Sequence, residues 1–561
     1  MAATGARLVN QSRHCFRSFA RLTSRLRKKS EEYMLPNEAG ISRRALLSMI
    51  GTAAGSAVMY GAMSKMGLAQ ESTWTGRLDL QGDPKGASVL ILGAGLAGMT
   101  AAFELRNAGY TVKVLEYRKK AGGRCWTLRS GDTYTELGGF TQQVDFAEGN
   151  YINPGPWRIP SDHFAVLDYC KRFGVELEPF QQVNYNAYVH DTNAFDGKPQ
   201  RFKEIDADFR GGVSELLAKV ADQGMLDQMV TEEDAEILVS ALKGWGVLDD
   251  DLEYVTGEAS SSHRGWKVPE GGGTTGKPVP SEITPLSVIL QSGLWSKISG
   301  GHHLHMQTTM FQPKGGMDMV ARGFEGEVGD LITYGAKVTR IENTETGVRA
   351  TWIPSEGEGE ETVEEADYCI CTIPFSVLGQ IETNFSSRMT GIIQNMPYYS
   401  ATKVGLEFKR RFWEEDEHIY GGISYTNLPI SQISYPSTGY FSDGPGVLLG
   451  AYVWGAYSYQ FNALPGEQRV EKALEYGAQI HPQYHDEFKT GVGVGWHRVP
   501  WSLGCFGQWK DRDADYMDAC QMDGRTLMAG EHISYLPAWM EGAILSSIDA
   551  VKRLHETVTA T

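Results

Sequence analysis

Between Ala87 and Glu116 the apolar pattern of the chain changes period twice. Residues 87–92 form an apolar run of strand length, a glycine-rich turn follows, and an Ala-rich helical stretch runs to about Asn107. A second apolar strand, Tyr110–Leu115, ends on Glu116. The far end of the chain repeats the alternation. Thr526–Ala529 has the pattern of a strand, Gly530 and Glu531 form its turn, and the last stretch puts Ile544, Leu545, Ile548, Val551 and Leu554 on one helical face. Midway, "DYCICTIP" around Cys369 and Cys371 is a further strand, and in "ATKVGLEF" Val404 and Leu406 alternate with Lys403 as on a half-buried strand. Strands alternating with helices predict an α/β fold. The pattern loosens between about 200 and 310, where helical stretches such as "SELLAKVADQ" give way to "KVPEGGGTTGKPVPSEITP". That Gly- and Pro-rich run is expected to be a loop, serving as a lid over a substrate path.

A chain of 561 residues exceeds one ordinary domain, so about two to four are expected. With 41% apolar and 22% charged residues it is globular, and a formal charge of −17 argues against a nucleic-acid partner. The charge is uneven. Residues 1–70 carry eleven Lys and Arg against three Glu, and within them Ser42-Arg43-Arg44 precedes a long uncharged run, Lys65, and a small-x-small site at Gly67–Ala69. This is the order of a twin-arginine signal over about 34–69, which hands a folded protein to the export machinery and places it in the periplasm or outside the cell. The run is also about long enough for a membrane anchor, although its Gly, Ser and Thr leave it weakly apolar. Residues 1–33, Arg- and Ser-rich with no acid before Glu31, have the look of a mitochondrial presequence, the second choice of address. Of seven cysteines, Cys15 falls in this segment; the other six show no metal or framework spacing and are read as small core residues, a disulfide being the alternative in an exported protein.

Chemistry enters at the glycine turn. Gly93, Gly95 and Gly98 stand in G-x-G-x-x-G spacing between strand and helix. Gly93 permits the tight turn, Gly95 lets backbone approach a pyrophosphate, Gly98 lets helix and strand pack, and the helix start at Leu96 and Ala97 faces the phosphates. Glu116, followed by Tyr117, is placed to accept hydrogen bonds from a ribose. Gly122, Gly123 and Arg124 come next, a second set of N–H groups and a guanidinium for a longer cofactor. This arrangement resembles the flavin-dependent amine oxidase superfamily. The resemblance implies FAD, bound noncovalently, because the C-terminal turn in which some members carry the attaching cysteine has none here. It implies that Glu531 binds the ribityl-phosphate region and that Val338, in "GAKVTRIEN", contacts the adenine side through its backbone. It also lays the turn from Ala538 through Trp539, Met540, Glu541 and Gly542 to Ala543 against the isoalloxazine ring.

Three further stretches bring the resemblance closest to the bacterial and snake-venom-type L-amino acid oxidases. "GPWRIP" is similar to the element with which they clamp the substrate carboxylate: Gly155, Pro156 and Trp157 lead to Arg158, and Pro156 and Pro160 stiffen the backbone around a guanidinium that can meet a carboxylate through two parallel bonds. Taken alone, Arg158 is equally well explained as half of an internal ion pair. In "YSATKVGLEFKRRFWEED", Lys403 matches the lysine that holds a water beside the flavin and assists reaction with oxygen. In "SQISYPSTGYF", Tyr435 matches the tyrosine that gives the carboxylate a second hydrogen bond, with a core tyrosine as the alternative. Trp539, beside Ala538, matches the aromatic residue closing the substrate pocket. A histidine of the helical domain lies near the substrate in this family, and His302, His303 and His305 in "SGGHHLHMQ" are candidates by composition; no metal site is expected, since no acidic ligand pattern accompanies them.

The implied architecture is a Rossmann-like, glutathione-reductase-type FAD-binding domain (86–128, 308–395 and 515–557), an interleaved mixed-sheet substrate domain (129–200 and 396–514), a helical insertion (201–307) and a targeting segment (1–70). The implied activity is oxidative deamination of L-amino acids to 2-oxo acids, with ammonia and hydrogen peroxide released and oxygen as acceptor. A homodimer is allowed for. A monoamine or polyamine oxidase, in which Arg158 is structural, and a tryptophan 2-monooxygenase-like enzyme are the alternatives.

Overall fold

The computed structural model describes residues 74–226, 230–357 and 359–560; the targeting segment and Cys15 lie outside the described residues. The first apolar run becomes Ser88–Leu92, the centre of a five-stranded parallel sheet. The order across it is Ile332–Tyr334, Thr111–Glu116, Ser88–Leu92, Tyr368–Cys371, Thr526–Met528. Its inner strands Ser88–Leu92 and Tyr368–Cys371 are apolar on both sides because both faces are covered. Val89, Ile91 and Ile370 face a core shared by the helices Leu96–Asn107 and Met540–Thr559, whose Ala101, Leu105, Ile544 and Val551 are buried there. Leu90, Leu92, Cys369 and Cys371 face the other way, onto a core completed by Val338, Ile341 and Val348 of a four-stranded sheet.

The turn after the first strand is glycine for two separate reasons. Gly93 has φ of +101°, and a Cβ on Gly98 would stand 1.9 Å from the carbonyl oxygen of Gly93. A Cβ on Gly95, by contrast, would meet no protein atom within 4 Å, because that side of the turn opens into a cavity.

A second, seven-stranded mixed sheet runs in the order Gln200–Arg201, Tyr188–His190, Ile423–Thr426, Gln432–Ser434, Gly446–Trp454, Ala401–Phe408, Phe488–Gly495. The strand that carries Lys403 differs from expectation: Ala401–Phe408 is buried along its whole length. Val404, Leu406 and Phe408 enter a core with Phe412 and Trp413, while the opposite side, with Lys403 and Gly405, is roofed by the segment from Ile152 to Gly155.

The helices Phe202–Asp222, Glu232–Gly246, Glu258–Arg264 and Leu286–Ser292 form the insertion. Its Gly- and Pro-rich run is a hairpin and not the unstructured loop expected. Trp266–Val268 pairs antiparallel with Val279–Pro280, the glycines between them supply the reversal, and Arg264 ties the base of this hairpin to Asp208 of the long helix at 2.9 Å. No residue of the hairpin reaches the cavity. Among the described residues no helix is long and apolar enough to cross a membrane.

Candidate active site

The carboxyl ends of the parallel strands open into a cavity of about 930 Å³, where ligands bind in open α/β sheets. The glycine turn contributes Gly93, Gly95, Leu96 and Ala97; the second strand ends there at Glu116 and Tyr117; Gly123 and Arg124 follow, with Val338 across from them. Glu531, Ala538, Trp539, Met540 and Ala543 come from the end of the chain. Three expected contributors stand back from this wall. Gly98 packs on Gly93, and Gly542 packs under Leu536, whose carbonyl oxygen would lie 2.1 Å from a Cβ. The buried carboxylate of Glu541 accepts the N–H groups of Ala165 at 3.0 Å and Val166 at 2.9 Å, so it caps the helix Phe164–Arg172 instead of meeting a cofactor.

The remaining wall fits a dinucleotide. The open side of Gly95 lies beside a helix N-terminus whose N–H groups suit a phosphate. Glu116 accepts the N–H groups of Ala94 at 2.7 Å and Arg118 at 2.9 Å, and burial pushes its carboxyl pKa up. Arg124 and Glu531 form an ion pair at 2.5 Å. Glu531 also accepts from Gly507 N–H at 3.1 Å and Ala538 N–H at 3.0 Å, which ties down the turn bearing Trp539.

Gly155, Pro156, Trp157 and Arg158 line the same cavity. Gly155 is there for packing, since a Cβ would fall 1.9 Å from the carbonyl oxygen of Arg124. Arg158 is 9% exposed, and three other arginines are as buried: Arg264, Arg411 and Arg469. Each of those has a carboxylate, Asp208 at 2.9 Å, Glu414 at 2.7 Å and Glu136 at 2.9 Å. Arg158 has none among the described residues. Its guanidinium touches Met306 Sδ at 2.9 Å, lies 5.9 Å from the Trp539 ring, and leaves Nε without a partner. Burial lowers its pKa, opposed by the hydroxyls of Tyr452 and Tyr425 and by no carboxylate.

Lys403 stands just behind the wall. Its Nζ donates to the carbonyls of Gly155 and, at 3.2 Å, Asn153, and lies 4.2 Å from the Tyr452 ring and 5.1 Å from that of Trp157. Burial pulls its pKa well below the ordinary lysine value.

Tyr435 is not at the cavity. It is fully buried, with its hydroxyl bonded to Ser424 Oγ at 2.7 Å and His481 Nε2 at 2.6 Å, the arrangement of a core tyrosine. Beside Arg158 and Trp157 the cavity is lined instead by Tyr452, the cross-strand partner of Lys403. The alternation of "GAYVWG" marks its strand, but only the pairing with Ala401–Phe408 puts Tyr452 beside Lys403.

Of the three candidate histidines, His305 comes nearest. Its ring lies 6.0 Å from that of Trp539, and its Nδ1 is 2.7 Å from Asp162 Oδ2. Sequence reasoning passed over His163, which follows Arg158 by five residues and meets the Trp539 ring edge-on at 4.9 Å; burial pulls its pKa down to about 3. Cys125, Cys170, Cys369, Cys371 and Cys520 are buried free thiols, as expected, but Cys125 and Cys505 line the cavity, and the Cys505 carbonyl accepts from Arg124 Nη1 at 2.9 Å. The cysteine-free turn Ala538–Ala543 is therefore not the whole of the cavity's thiol chemistry.

The profile of the family described as flavin containing amine oxidoreductase matches residues 96–555. The chain belongs to that family. Within this flavin amine oxidase family it is 28% identical over 483 residues to an L-amino-acid oxidase of Siganus canaliculatus, covering 83% of this chain and 85% of that one. It is also 28% identical over 502 residues to the flavin-dependent L-tryptophan oxidase RebO of Lentzea aerocolonigenes, covering 83% and 97%. Among solved structures, the cyclohexylamine oxidase of Brevibacterium oxydans superimposes with a TM-score of 0.55 at 16% identity, over 84% of this chain and 99% of that one, a likeness of fold. The family is flavin-containing, and the wall described above has the backbone N–H groups, acids and arginine that suit FAD.

Proposed function

We propose that this flavin amine oxidase deaminates L-amino acids oxidatively. The observation that carries the reading is Arg158, a buried guanidinium at the cavity with no acid of its own. An uncompensated buried cation is expensive, and its expense is removed when an anionic substrate arrives. The relatives named as L-amino-acid oxidases support the same class.

In this reading the glycine turn, Glu116, Arg124 and Glu531 would hold FAD noncovalently, and FAD would supply the two-electron oxidant for the Cα–H bond, with oxygen as the final acceptor and peroxide as its product. The chain does the rest. Arg158 grips the carboxylate bidentately and the hydroxyl of Tyr452 offers a second donor. Trp157 and Trp539 flank the side chain and Cα and exclude water. The neutral amine needed for oxidation is the form in which the substrate binds, and Lys403, its pKa lowered by burial, holds a water at the wall for proton transfer to reduced oxygen. The released imino acid hydrolyses to a 2-oxo acid and ammonia.

A polyamine reading is less favoured because Glu116 and Glu531, both on the cofactor wall, are the acidic residues lining the cavity. A second ammonium would find no carboxylate lining the substrate end, where Asp162 stands back from the wall and is bonded to His305. A panel of L-amino acids, their D-enantiomers and the matching decarboxylated amines, with peroxide and products measured, tests the proposal. Turnover confined to L-amino acids is expected; turnover of the amines alone overturns it, and an amide with CO₂ as product assigns the monooxygenase instead.

The reading extends to location. Twin-arginine export delivers the folded, FAD-loaded protein to the periplasm or beyond, and N-terminal sequencing of the mature protein should begin near Ala69.

A further inference from the structure

Beside Trp539 the chain gathers three groups that the reaction above does not use. Asp162 and His163 follow the arginine clamp, and His305 comes from the His-rich stretch, 143 residues from Asp162. One ligand atom from each lies within 4.8 Å of the others, the only such trio of His, Cys, Asp or Glu among the described residues. Asp162 and His163 are buried and His305 is half-buried. Asp162 Oδ1, His163 Nε2 and His305 Nε2 have no hydrogen-bond partner. A buried polar atom left unpaired is costly, and one on each of three neighbouring side chains calls for an occupant. The acid that "SGGHHLHMQ" lacks in sequence arrives across the fold.

We propose that Asp162, His163 and His305 bind a divalent transition-metal ion of the zinc class at the edge of the substrate cavity. Two imidazoles and a carboxylate are a ligand set such ions accept, with a position left for water. Bonds of about 2.0–2.2 Å require the trio to draw in from its present spacing, a movement of side chains and not of backbone. Burial helps, because it keeps His163 neutral and its lone pair available. Met306, next to His305, and Trp539, in ring contact with both histidines, line the cavity, so an ion enters through it. Once bound, it fixes both imidazoles against Trp539, and reversible inhibition is the functional consequence.

The test uses the FAD-loaded protein after chelator treatment, titrated calorimetrically with Zn²⁺, with Co²⁺ absorption above the flavin bands as a second probe. One ion per chain is expected, with affinity at least tenfold weaker in His163→Ala and in His305→Ala and unchanged in the double variant His302→Ala, His303→Ala. The flavin spectrum of each variant reports that it has folded, and the near-isosteric Asp162→Asn replaces any alanine variant that loses FAD. Absence of saturable uptake by the wild type, equal affinity in the site variants, or loss in the His302, His303 double variant overturns the proposal. No amino acid is present in the titration, so its outcome is independent of the oxidase reading.

Discussion

Replacing Arg158 by Met leaves an arriving carboxylate unpaired against Trp157, Trp539 and Met306. The loss of a buried charge partner costs about 2–5 kcal/mol, so kcat/KM on amino acids should fall roughly thirtyfold to several thousandfold. Turnover of an amine without a carboxylate should be spared; equal losses on both substrates would make Arg158 a residue of the fold. The two tyrosines separate by the same logic. Tyr452→Phe should lower kcat/KM by about tenfold, the worth of one hydrogen bond to a charged group. Tyr435→Phe should instead lower the melting temperature, because its hydroxyl joins Ser424 to His481 inside the core. The opposite pattern in the two variants would return the substrate role to Tyr435. Cys505 provides a further test at this scale. Acid precipitation should release all the FAD into solution, whereas flavin retained in the pellet, with added mass on the peptide bearing Cys505, would show a covalent bond that the turn Ala538–Ala543 gave no reason to expect.

At the scale of the element, the glycine turn separates binding from folding. Gly95→Ala puts a methyl group into the cavity and against no protein atom, so the variant should fold with near-native stability and bind FAD at least tenfold more weakly. Gly98→Ala drives its Cβ onto the Gly93 carbonyl, and backbone cannot give way there; a loss of more than about 2 kcal/mol of stability is expected. Chemical denaturation and FAD titration of both variants check the contrast, and similar behaviour in the two would refute it. The same turn shows what was legible in the sequence. Strand, glycines, helix and acid are local and consecutive, and they appear within one residue of where the apolar pattern put them. Arg158 was legible as a cavity residue only through the resemblance of "GPWRIP", because taken alone it reads equally well as half of an ion pair. Tyr452, His163 and the Asp162–His305 contact were not, since each matters through a partner distant in the chain: Tyr452 through its pairing with Lys403, His163 through Trp539. Glu541 was misassigned for the same reason, its carboxylate serving a helix that begins at Phe164. The hairpin 266–280 was missed because its strands are too short to show a period.

For the whole molecule, buried histidines predict how stability follows pH. Burial pulls His163 down to about 3 and His481 and His532 to about 4. The folded state keeps them neutral while the unfolded chain takes up protons below about pH 6.5, so stability is lost as pH falls from there towards 4, by roughly 1.4 kcal/mol per histidine per unit. The melting temperature should therefore drop steeply between pH 6.5 and 4.5, and His532→Asn should flatten the slope; a level profile over that range would contradict the burial of these rings. The parallel sheet adds a consequence of a different kind. Its central strand is made early, yet the strand Thr526–Met528 and the helix that covers Leu96–Asn107 come far later in the chain. A ribosome thus finishes the glycine turn long before it delivers Glu531 and Trp539, and the growing chain holds a half-built groove throughout translation. Cofactor capture becomes a proofreading event: only a chain read through the helix Met540–Thr559 can close over FAD, and one that stops short of Met540 shows a bare apolar helix to the cell's proteases.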